Sequence, residues 1–599
     1  MDAFVQPLYE LADFDAIIRQ LKKPGIVQVS GCLDSQKAHF TNGLLREFPF
    51  RLIVAENDLK AKAFYEDFRL YDPEVLYYPA RDLIFYQADI HGNLLTRQRI
   101  QVLRALLERE EVTIVTSIDS CLDCLVPLAV WKEKVIKIRN DSEIDLDRIK
   151  RHLLELGYEW AAQVEVPGQF SIRGGIMDVF SLTEDNPWRI ELWGDEVDSI
   201  RSFDAESQRS IENLEEITIY PATEVVLDKE TIRQGIKAIE KEAQKSQKKF
   251  RDEMKTEEGA RVRQIAAELK DQLEEMEHIA GAESFVRYFY KKTESLLEYL
   301  PENTLVVIDE PNRLTEHAKT TEEEFRESMI HRLEKGYLLP GQMEVIRNHQ
   351  EVVHRFHQMH TLSLSTMEPR GTGWNFTMEM QLTVKSVNPY NNSFEMLVKD
   401  LLRWKKSGYR MLLLSPSRTR AARLAKDLQD QELSAFYSED PEELIQPGQI
   451  KVTWGRVSRG FEYPMVKYVV ISETDIFGKE KKKKRKKSQY SGKQIQSFSE
   501  LSVGDFVVHE NHGLGVYRGI EKMEVDGVVK DYIKIEYAGK SNLYILATQL
   551  DVLQKYAGSD AAKAPKLNKL GGQEWKKTKT KVRGAVKNIA KDLVALYAA

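Results

Sequence analysis

The chain has 599 residues, of which 42% are hydrophobic and 30% charged, and its formal net charge at pH 7 is −7. This length predicts several domains, about four at roughly 150 residues each, and the mildly acidic balance gives no global argument for nucleic-acid binding. No apolar run approaches the roughly 20 residues that cross a bilayer, and the N-terminus lacks a secretory pattern. Three cysteines make no disulfide framework, so we expect a cytoplasmic protein without a membrane partner.

The first part of the chain alternates short apolar runs with helical patterns. Strands are predicted at Gly25–Ser30, Arg51–Ala55, Val75–Tyr78 and Val112–Ser117, and helices at Ser35–Glu47, Asp58–Leu70 and Arg97–Glu108. This rhythm is typical of a parallel sheet covered by helices. A later strand at Thr304–Asp309 predicts that the same sheet resumes after an insertion.

The loop after the first strand has part of a phosphate-binding P-loop. Such a loop needs two glycines, a lysine and a hydroxyl, because backbone amides cradle the phosphates while the hydroxyl holds magnesium. Gly31 and Lys37 are in place, but Gln36 stands where the second glycine belongs and Ala38 where the hydroxyl belongs. The sequence therefore predicts a degenerate P-loop that binds no nucleotide.

Two acidic residues, Asp309 and Glu310, close the apolar strand at Thr304–Asp309 in the form of a Walker B element. Without a competent P-loop, we predict that both are structural. The region before this strand, from Lys229 to Gly281, is a charged helical stretch.

One strand of the inserted region, Trp188–Gly194, predicts a binding surface. Its alternation places Arg189 and Trp193 on the same face, opposite an apolar face. A tryptophan beside an arginine on a solvent face is the composition of a binding hot spot, and the preceding strand can bring Arg173 alongside. An ordinary amphipathic sheet with a capping tryptophan is the alternative.

The second half of the chain begins with a further α/β pattern of unassigned role. It has a strand at Arg410–Leu414, a helix at Arg418–Gln429 and a strand at Val466–Ser472. Seven successive cations, Lys481–Lys487, then predict a flexible linker. A contact of this basic run with DNA phosphates is the alternative.

A small β-module follows, and its turn signals alternate with short strands. The strands are predicted at Phe506–His509, Gly515–Val525, Tyr532–Tyr537 and Asn542–Leu546, with a hairpin turn at Asp526-Gly527. The pattern predicts a small barrel without a catalytic constellation. A basic amphipathic helix is predicted at Glu574–Ala599, and we expect further chain beyond it.

Two residue pairs have a spacing seen in metal sites, Cys121 with Cys124 and His509 with His512. A structural zinc site needs four ligands, and neither pair is completed in the sequence. We predict buried structural thiols and histidines that shape a turn. No catalytic residue and no metal site is predicted.

The wording of the β-module, VVHENHGLGVYRGIE and DYIKIEYAG, with LGGQEWKK at Leu570–Lys577, resembles the RNA-polymerase-interacting module of the bacterial transcription-repair coupling factors, the Mfd family. The related regulator CarD has a similar module. Residues 1–365 resemble the nucleotide-excision-repair protein UvrB, most clearly at Lys37–Leu44 and Arg173–Asp204. Coupling factors carry such a UvrB-like region in inactive form, so both ends of the chain indicate one family.

The patterns and the resemblance together predict a multidomain α/β and β protein. It has a degenerate P-loop α/β domain of RecA-like or UvrB-like type, an inserted mixed-strand domain, a further α/β domain, and a small Tudor-like or SH3-like β-barrel followed by a long helix. The predicted boundaries are 1–130 and 223–365 for the UvrB-like domain, 131–222 for the insertion, 366–478 for the further α/β domain, 479–498 for the basic linker, 499–558 for the barrel, and 559–599 for a linker and helix.

The resemblance implies a role in transcription-coupled nucleotide-excision repair, in which stalled RNA polymerase is bound and the damage-recognition ATPase UvrA is recruited. It implies UvrA contacts at Arg173, Arg189 and Trp193, and contacts with the RNA polymerase β subunit at Met523, Glu524 and Val525. It implies no cofactor and no catalysis in this chain. ATP, Mg²⁺ and most contacts with double-stranded DNA are expected to belong to a translocase motor beyond Ala599.

Two other functions stay open at this point. The chain could be a divergent UvrB-type repair helicase with its own nucleotide site, or a CarD-like transcription regulator fused to an α/β module. Gln36 and Ala38 speak against the helicase, and the face with Arg189 and Trp193 speaks against the regulator.

Overall fold

The computed structural model of the chain describes residues 2–81, 93–276, 281–370, 373–478, 501–509, 513–525, 528–538, 542–546, 553–556 and 567. Several predictions lie outside these residues: the basic linker with Lys481–Lys487, the turn at Asp526-Gly527, His512, and the helix Glu574–Ala599. Among the helices that the structure describes, none is both long and apolar enough to span a bilayer.

The first region alternates strands and helices, as its apolar runs predict. Its strands β1–β4 are Gly25–Ser30, Phe50–Ala55, Leu76–Tyr78 and Val112–Ser117. Its helices α1–α7 are Gln6–Tyr9, Phe14–Leu21, Asp34–Asn42, Asp58–Phe68, Asn93–Glu108, Ile118–Leu122 and Leu128–Glu133. The predicted helix Ser35–Glu47 is too long at its C-terminal end, because α3 ends at Asn42 and the following N–H groups of Leu44, Leu45 and Glu47 bond to carbonyl groups three residues earlier, as in turns.

The inserted region is mostly antiparallel, as its alternating strands predict. Its strands β5–β12 are Ile136–Arg139, Glu159–Trp160, Gln169–Arg173, Ile176–Val179, Trp188–Trp193, Glu196–Phe203, Ser210–Leu214 and Glu216–Ile219, and its helix α8 is Leu146–Glu155. Six strands form a sheet in the order β11-β10-β9-β8-β7-β6, while β12 pairs with β5. Only the short β6–β7 pair of that sheet is parallel.

The chain then returns to the first sheet through a helical hairpin. The helices α9–α14 are Lys229–Asp252, Thr256–Met276, Val286–Phe289, Leu296–Tyr299, Pro311–Glu334 and His349–Gln358, and the strands β13–β15 are Leu305–Asp309, His360–Ser365 and Met378–Gln381. The completed sheet has the order β15-β1-β14-β13-β2-β4-β3, and every neighbouring pair is parallel. The position of β13 confirms that the sheet resumes after the insertion. Strand β15 is an addition that the sequence does not predict.

A second α/β unit follows. Its strands β16–β21 are Lys385–Ser386, Arg410–Ser415, Ala435–Tyr437, Ile450–Trp454, Phe461–Tyr463 and Tyr468–Ile471, and its helices α15–α17 are Phe394–Lys406, Arg418–Gln429 and Glu473–Phe477. The sheet order is β16-β20-β21-β17-β19-β18, with β21, β17, β19 and β18 mutually parallel. The helix predicted at Arg418–Gln429 is confirmed at both ends.

The C-terminal module is a five-stranded antiparallel sheet. Its strands β22–β26 are Phe506–His509, Gly513–Val525, Val528–Glu536, Asn542–Leu546 and Leu553–Lys555, in the order β25-β24-β23-β22-β26. Val507, Ile533, Ile535 and Ile545 belong to a small core of its own. The hairpin is longer than predicted, because β24 begins at Val528 and stays paired with β23 up to Val525. Together, these sheets confirm the predicted multidomain α/β and β architecture.

The two α/β units share a buried interface, and His39 of α3 lies at its centre. Its Nε2 donates to the carbonyl oxygen of Phe4 at 2.6 Å, and its Nδ1 accepts from the Tyr463 hydroxyl at 3.0 Å. The ring stacks on Tyr468 with 5.7 Å between centroids. Burial lowers the pKa of His39 to about 4, against a weaker opposite effect of the Phe4 carbonyl. The imidazole is therefore neutral in the folded chain.

This buried imidazole predicts a specific acid sensitivity. Its pKa is lowered on folding from 6.5 to about 4, so the unfolded chain binds more protons within that interval and stability falls as pH falls below 6.5. Between pH 7 and pH 5, we expect His39 to account for about 2 kcal/mol of lost unfolding free energy in the unit that contains it. Urea unfolding of wild type and His39→Gln at both pH values measures this contribution.

The matched control is His354→Gln, because His354 is an exposed histidine on α14. His354→Gln should keep the pH dependence of the wild type, whereas His39→Gln should flatten it. An equal pH dependence in wild type and His39→Gln would contradict the assignment of the acid sensitivity to this ring.

Candidate functional site

The loop predicted as a degenerate P-loop connects β1 to α3, and two of its backbone amides, those of Cys32 and Leu33, have partners within the chain. The Cys32 N–H donates to the carbonyl oxygen of Ser365 at 3.0 Å. The Leu33 N–H donates to the side-chain Oε1 of Gln36 at 3.1 Å. A phosphate would need such amides to be free and convergent. In this chain Gln36, the residue that replaces glycine, occupies one of them.

The space beside this loop is also filled by the chain. Gly31 has a φ of +83°, and a Cβ added there would lie 2.1 Å from the carbonyl oxygen of Leu382. The Leu382 N–H in turn donates to the carbonyl oxygen of Ser30 at 2.8 Å. The segment that leaves β15 therefore passes directly over the loop, at the carboxyl edge where nucleotides bind in parallel sheets.

Lys37 is buried and bound to Asp309, the last residue of β13, and to Glu310, which follows it. Its Nζ lies 2.6 Å from Asp309 Oδ1 and 2.8 Å from Glu310 Oε1. Burial lowers the pKa of Lys37, but the charges of both carboxylates outweigh this effect and raise the pKa above its ordinary value. The carboxyl group of Glu310 also accepts from the Thr366 N–H and hydroxyl at 2.8 and 2.7 Å. Ala38, next to the lysine, is fully buried and offers no metal ligand.

Gln36 continues this network toward the second α/β unit. Its Nε2 donates to the Tyr463 hydroxyl at 2.8 Å, and that hydroxyl in turn donates to Nδ1 of His39. The Ser35 hydroxyl lies 2.7 Å from that of Ser458. The positions that depart from a P-loop thus make contacts within the protein, and the arrangement has the character of an interface.

A second candidate site lies on the large sheet of the inserted region, where two arginines converge on Asp178. Arg189 binds it in a bidentate manner, with Nε 2.7 Å from Oδ1 and Nη2 2.8 Å from Oδ2, while Arg173 Nη2 lies 2.7 Å from Oδ2. The hydrogen bonds that Arg189 donates to Asp178 raise the pKa of Arg189 above its ordinary value. The guanidinium of Arg189 also lies 4.4 Å from the ring centre of Phe203. The domain's own carboxylate therefore holds both arginines in place.

Trp193 lies on the same sheet but has a different environment. It ends β9, is 84% exposed, and pairs with Glu196 across a turn in which Gly194 has a φ of +65°. Along β9, Trp193 lies two residues after Glu191, so both side chains are on the same face of the sheet. Glu191 pairs with Ile176 of β8, and Ile176 pairs with Arg173 of β7, which places Arg173 on that face as well. The three predicted contact residues thus share one face, with Trp193 as its projecting member.

Asp178 is the functional residue that the sequence analysis misses. It is 1% exposed and lies in β8, in register with Arg189. A carboxylate inside the apolar run Ile176–Val179, between two strands that each carry an arginine, is the signal that could have revealed it. Buried carboxylates need such partners.

The residues predicted to contact RNA polymerase end strand β23. Met523, Glu524 and Val525 pair with Lys530, Val529 and Val528 of β24. The register therefore places them at the distal end of the long hairpin, beyond the residues that form the small core of the module.

The cysteines show no sign of a metal or redox site. Cys32 and Cys121 are buried, Cys124 is half-buried, and all three are free thiols. Burial raises the pKa of the Cys32 thiol to about 12, and burial likewise raises that of Cys121. Among the residues that the structure describes, no group of three or more His, Cys, Asp or Glu side chains is placed to hold a metal ion.

Two family models match the regions that carry these surfaces. Residues 136–225, which include Arg173, Arg189 and Trp193, match the UvrB interaction domain. Residues 501–557, which include the long hairpin, match the CarD-like/TRCF RID domain.

Curated relatives extend the comparison to the whole chain. The chain is similar to transcription-repair-coupling factors. It is 34% identical over its full length to the protein of that name from Bacillus subtilis, and covers 51% of it. It is 30% identical to the corresponding proteins of Staphylococcus epidermidis and Staphylococcus aureus, over 95% and 91% of its length, covering 48% and 46% of theirs. The chain thus spans about half the length of the curated relatives that it matches.

The ion pairs of Lys37 predict a structural role that can be measured. Lys37→Met leaves the buried Asp309 carboxylate without a cation, so we expect the free energy of unfolding to fall by about 3 kcal/mol. Lys22→Met is the matched control, because Lys22 forms a 2.8 Å ion pair with Glu47 at the surface. That substitution should cost less than about 1 kcal/mol. Equal losses in the two variants, measured by urea unfolding, would contradict a structural role for the buried ion pairs.

Proposed function

We propose that this chain is the recruitment part of a transcription-repair coupling factor. In this role it binds RNA polymerase through residues 501–557 and UvrA through residues 136–225. The observation that carries the proposal is the presence of both interaction-domain matches in one chain that is similar throughout to such factors. The process served is transcription-coupled nucleotide-excision repair.

The face of the inserted domain supports the UvrA assignment. Hot spots of protein interfaces are enriched in tryptophan and arginine. Trp193 projects from the sheet, and Asp178 holds Arg173 and Arg189 beside it before any partner arrives. A preordered face loses less conformational entropy on binding. Arg173 keeps about half of its side chain exposed, so it can still accept a carboxylate from a partner.

The C-terminal module supports a protein partner of another kind. Its strands β25 and β26 are the two edges of the sheet, and β23 and β24 extend as a hairpin past the core. An exposed strand edge can pair with a strand of a partner. We assign this contact to the β subunit of RNA polymerase, with Met523, Glu524 and Val525 at the hairpin end.

We also propose that the first α/β domain is a UvrB-like domain with a degenerate P-loop, and that it binds no nucleotide. The filled space at Gly31, the occupied amide of Leu33 and the ion pairs of Lys37 support this proposal. ATP, Mg²⁺ and the DNA translocation of a coupling factor would then act outside these 599 residues. Saturable Mg-ATP binding that Lys37→Ala abolishes would instead favour the UvrB-type helicase.

The UvrA contact is tested at Trp193. Because this side chain is 84% exposed, Trp193→Ala should leave the fold intact. We expect it to weaken UvrA binding at least about 30-fold, as the loss of an interface hot spot does. Arg189→Ala is a less clean test, since it removes the main partner of buried Asp178. Isothermal titration of purified chain with UvrA, without ATP or DNA, measures the affinity.

The same Trp193→Ala protein should bind RNA polymerase with wild-type affinity, which serves as the control for folding. If UvrA binds wild type and Trp193→Ala equally well, the recruitment role of this face is wrong. Binding to polymerase together with no binding of UvrA by the wild type would favour the CarD-like regulator.

The polymerase contact is tested at the hairpin end. Met523→Arg adds a positive charge to a strand position that we expect to be buried by the partner, and a buried unpaired charge is strongly unfavourable. We expect binding to the RNA polymerase β subunit to weaken more than tenfold in surface plasmon resonance. UvrA binding should stay unchanged, because the two surfaces belong to separate cores. Wild-type polymerase affinity in this variant would refute the placement of the contact.

A further inference from the structure

The second α/β unit, residues 385–477, has no part in the function proposed above, yet it presents a concentrated basic surface. Parallel strands β17 and β19 are neighbours, and Ser415 and Trp454 lie in register at their carboxyl ends. The segments that follow carry Arg418, Arg420 and Arg423 on α16, and Arg456 and Arg459 after β19. We call these five arginines and Trp454 the arginine edge. The carboxyl edge of a parallel sheet is where ligands bind in open α/β folds.

Trp454 is exposed and held in a fixed position. Its side chain is 48% exposed, and the guanidinium of Arg418 lies 5.2 Å from its ring centre. Arg418 Nε is bound to Glu439 Oε2 at 2.8 Å, and Glu439 also accepts a hydrogen bond from the Tyr437 hydroxyl. The indole of Trp454 is thus exposed to solvent and lies beside the guanidinium of Arg418.

The loop that carries Arg456 and Arg459 is anchored on both sides. The Ser458 N–H and hydroxyl donate to Asp67 at 2.6 and 2.8 Å, and the Gly460 N–H donates to Asp475 at 2.7 Å. The side chains of Arg456 and Arg459 are both exposed. The protein therefore holds the backbone of this loop while both guanidinium groups face solvent.

Three of the five arginines of the arginine edge have no salt-bridge partner within the part of the chain that the structure describes, while the nearby carboxylates of Asp67 and Asp475 accept hydrogen bonds from the loop backbone. Arg418 is paired with Glu439 and Arg420 with Glu473. For Arg423, Arg456 and Arg459, no carboxylate of the described residues lies within the 4.0 Å of a salt bridge. In a chain with a net charge of −7, these three guanidinium groups lie on the two segments that meet at this carboxyl edge and can attract an anion there.

We propose that the arginine edge binds single-stranded nucleic acid. Guanidinium groups bind phosphates with two parallel hydrogen bonds, and they do so without losing their charge. The indole can stack on a base, which is how sequence-tolerant proteins hold single strands. The bases of a duplex have both faces covered by their neighbours, so only an unpaired base can use Trp454. An acidic protein segment would also use the arginines, and competition by polyglutamate separates that occupant from single-stranded nucleic acid.

The experiment uses the full chain and fluorescence anisotropy with a labelled oligo-dT of about 15 nucleotides and a duplex of equal length. Trp454→Ala should raise the Kd for oligo-dT about tenfold, within the range seen for one stacked base, and leave the Kd for the duplex unchanged. Trp454→Phe keeps an aromatic face and should restore most of the affinity for oligo-dT. This second variant separates loss of stacking from loss of folding.

The arginines are tested by the double variant Arg456→Gln/Arg459→Gln. It should weaken oligo-dT binding and reduce the steepness of log K against log salt by about 1.4. Each phosphate contact contributes about 0.7 to this slope through the counterions that it releases from a single strand, and the double variant loses two contacts. The matched control is Arg403→Gln/Lys406→Gln, two exposed cations in the last turn of α15, just before β17 begins. This control should bind oligo-dT as the wild type does.

Three results would each overturn the proposal. They are an unchanged affinity of Trp454→Ala for oligo-dT, an equal loss in the Arg403→Gln/Lys406→Gln control, and displacement of oligo-dT by polyglutamate of equal charge as effectively as by unlabelled oligo-dT. The last result would show that the site recognises acidic polymers in general.

Discussion

The buried ion pairs of Lys37 with Asp309 and Glu310 connect parts of the first sheet that lie about 270 residues apart in the chain. Lys37 follows β1, the two carboxylates end β13, and Thr366 after β14 binds Glu310 as well. The carboxyl ends of three strands are thereby tied together. Because a buried charge is stable only with its partners in place, the halves of the domain on either side of the insertion must assemble together.

A second buried ionic cluster lies where the chain leaves the inserted region and rejoins the first α/β domain. Arg99 of α5 is fully buried and binds Glu224 Oε2 at 2.8 Å and Asp123 Oδ2 at 3.0 Å, with Tyr78 4.1 Å beneath its guanidinium. Burial raises the pKa of Glu224, but Arg81 and Arg99 outweigh this and lower it to about 2. Burial raises the pKa of Asp123 to about 6. Glu224 follows the last strand of the insertion. Its ion pairs therefore anchor the C-terminal end of the inserted region to the first α/β domain.

Strands whose residues are buried on both sides could be predicted closely from the sequence. β1 and β4 are short runs rich in β-branched residues and buried along nearly their whole length, and their predicted limits are confirmed. β15 could not be predicted, because Met-Glu-Met-Gln at Met378–Gln381 is a polar-alternating edge strand. Its partner β1 lies about 350 residues earlier, and only the tertiary fold reveals that pairing. β26 is similar, a three-residue strand that exists only because β22 is beside it.

The candidate sites were predictable only in part, because strand periodicity is local whereas the pairing between strands depends on the tertiary fold. Alternation along β9 correctly places Arg189 and Trp193 on one face, since strand periodicity is a local property. The pairing of Arg189 with Asp178 depends on the register between β8 and β9, which the sequence does not reveal. The contacts of Arg173, Arg189 and Trp193 with UvrA therefore stay a prediction. Arg189 is largely committed to its own domain, and Trp193 is the exposed member.

The contacts of Gln36 show how the loop between β1 and α3 joins the two α/β units. Gln36 fills the place of a glycine, satisfies the Leu33 amide and binds Tyr463 of the second α/β unit. The side chain of Gln36 therefore takes part in the interface between the two α/β units. A nucleotide site that opens and closes would change the relation between the two α/β units, whereas this network joins them through buried hydrogen bonds and a shared apolar core. If the inserted domain and the C-terminal module each bind a partner, as we propose, these joined units can support both contacts without rearranging.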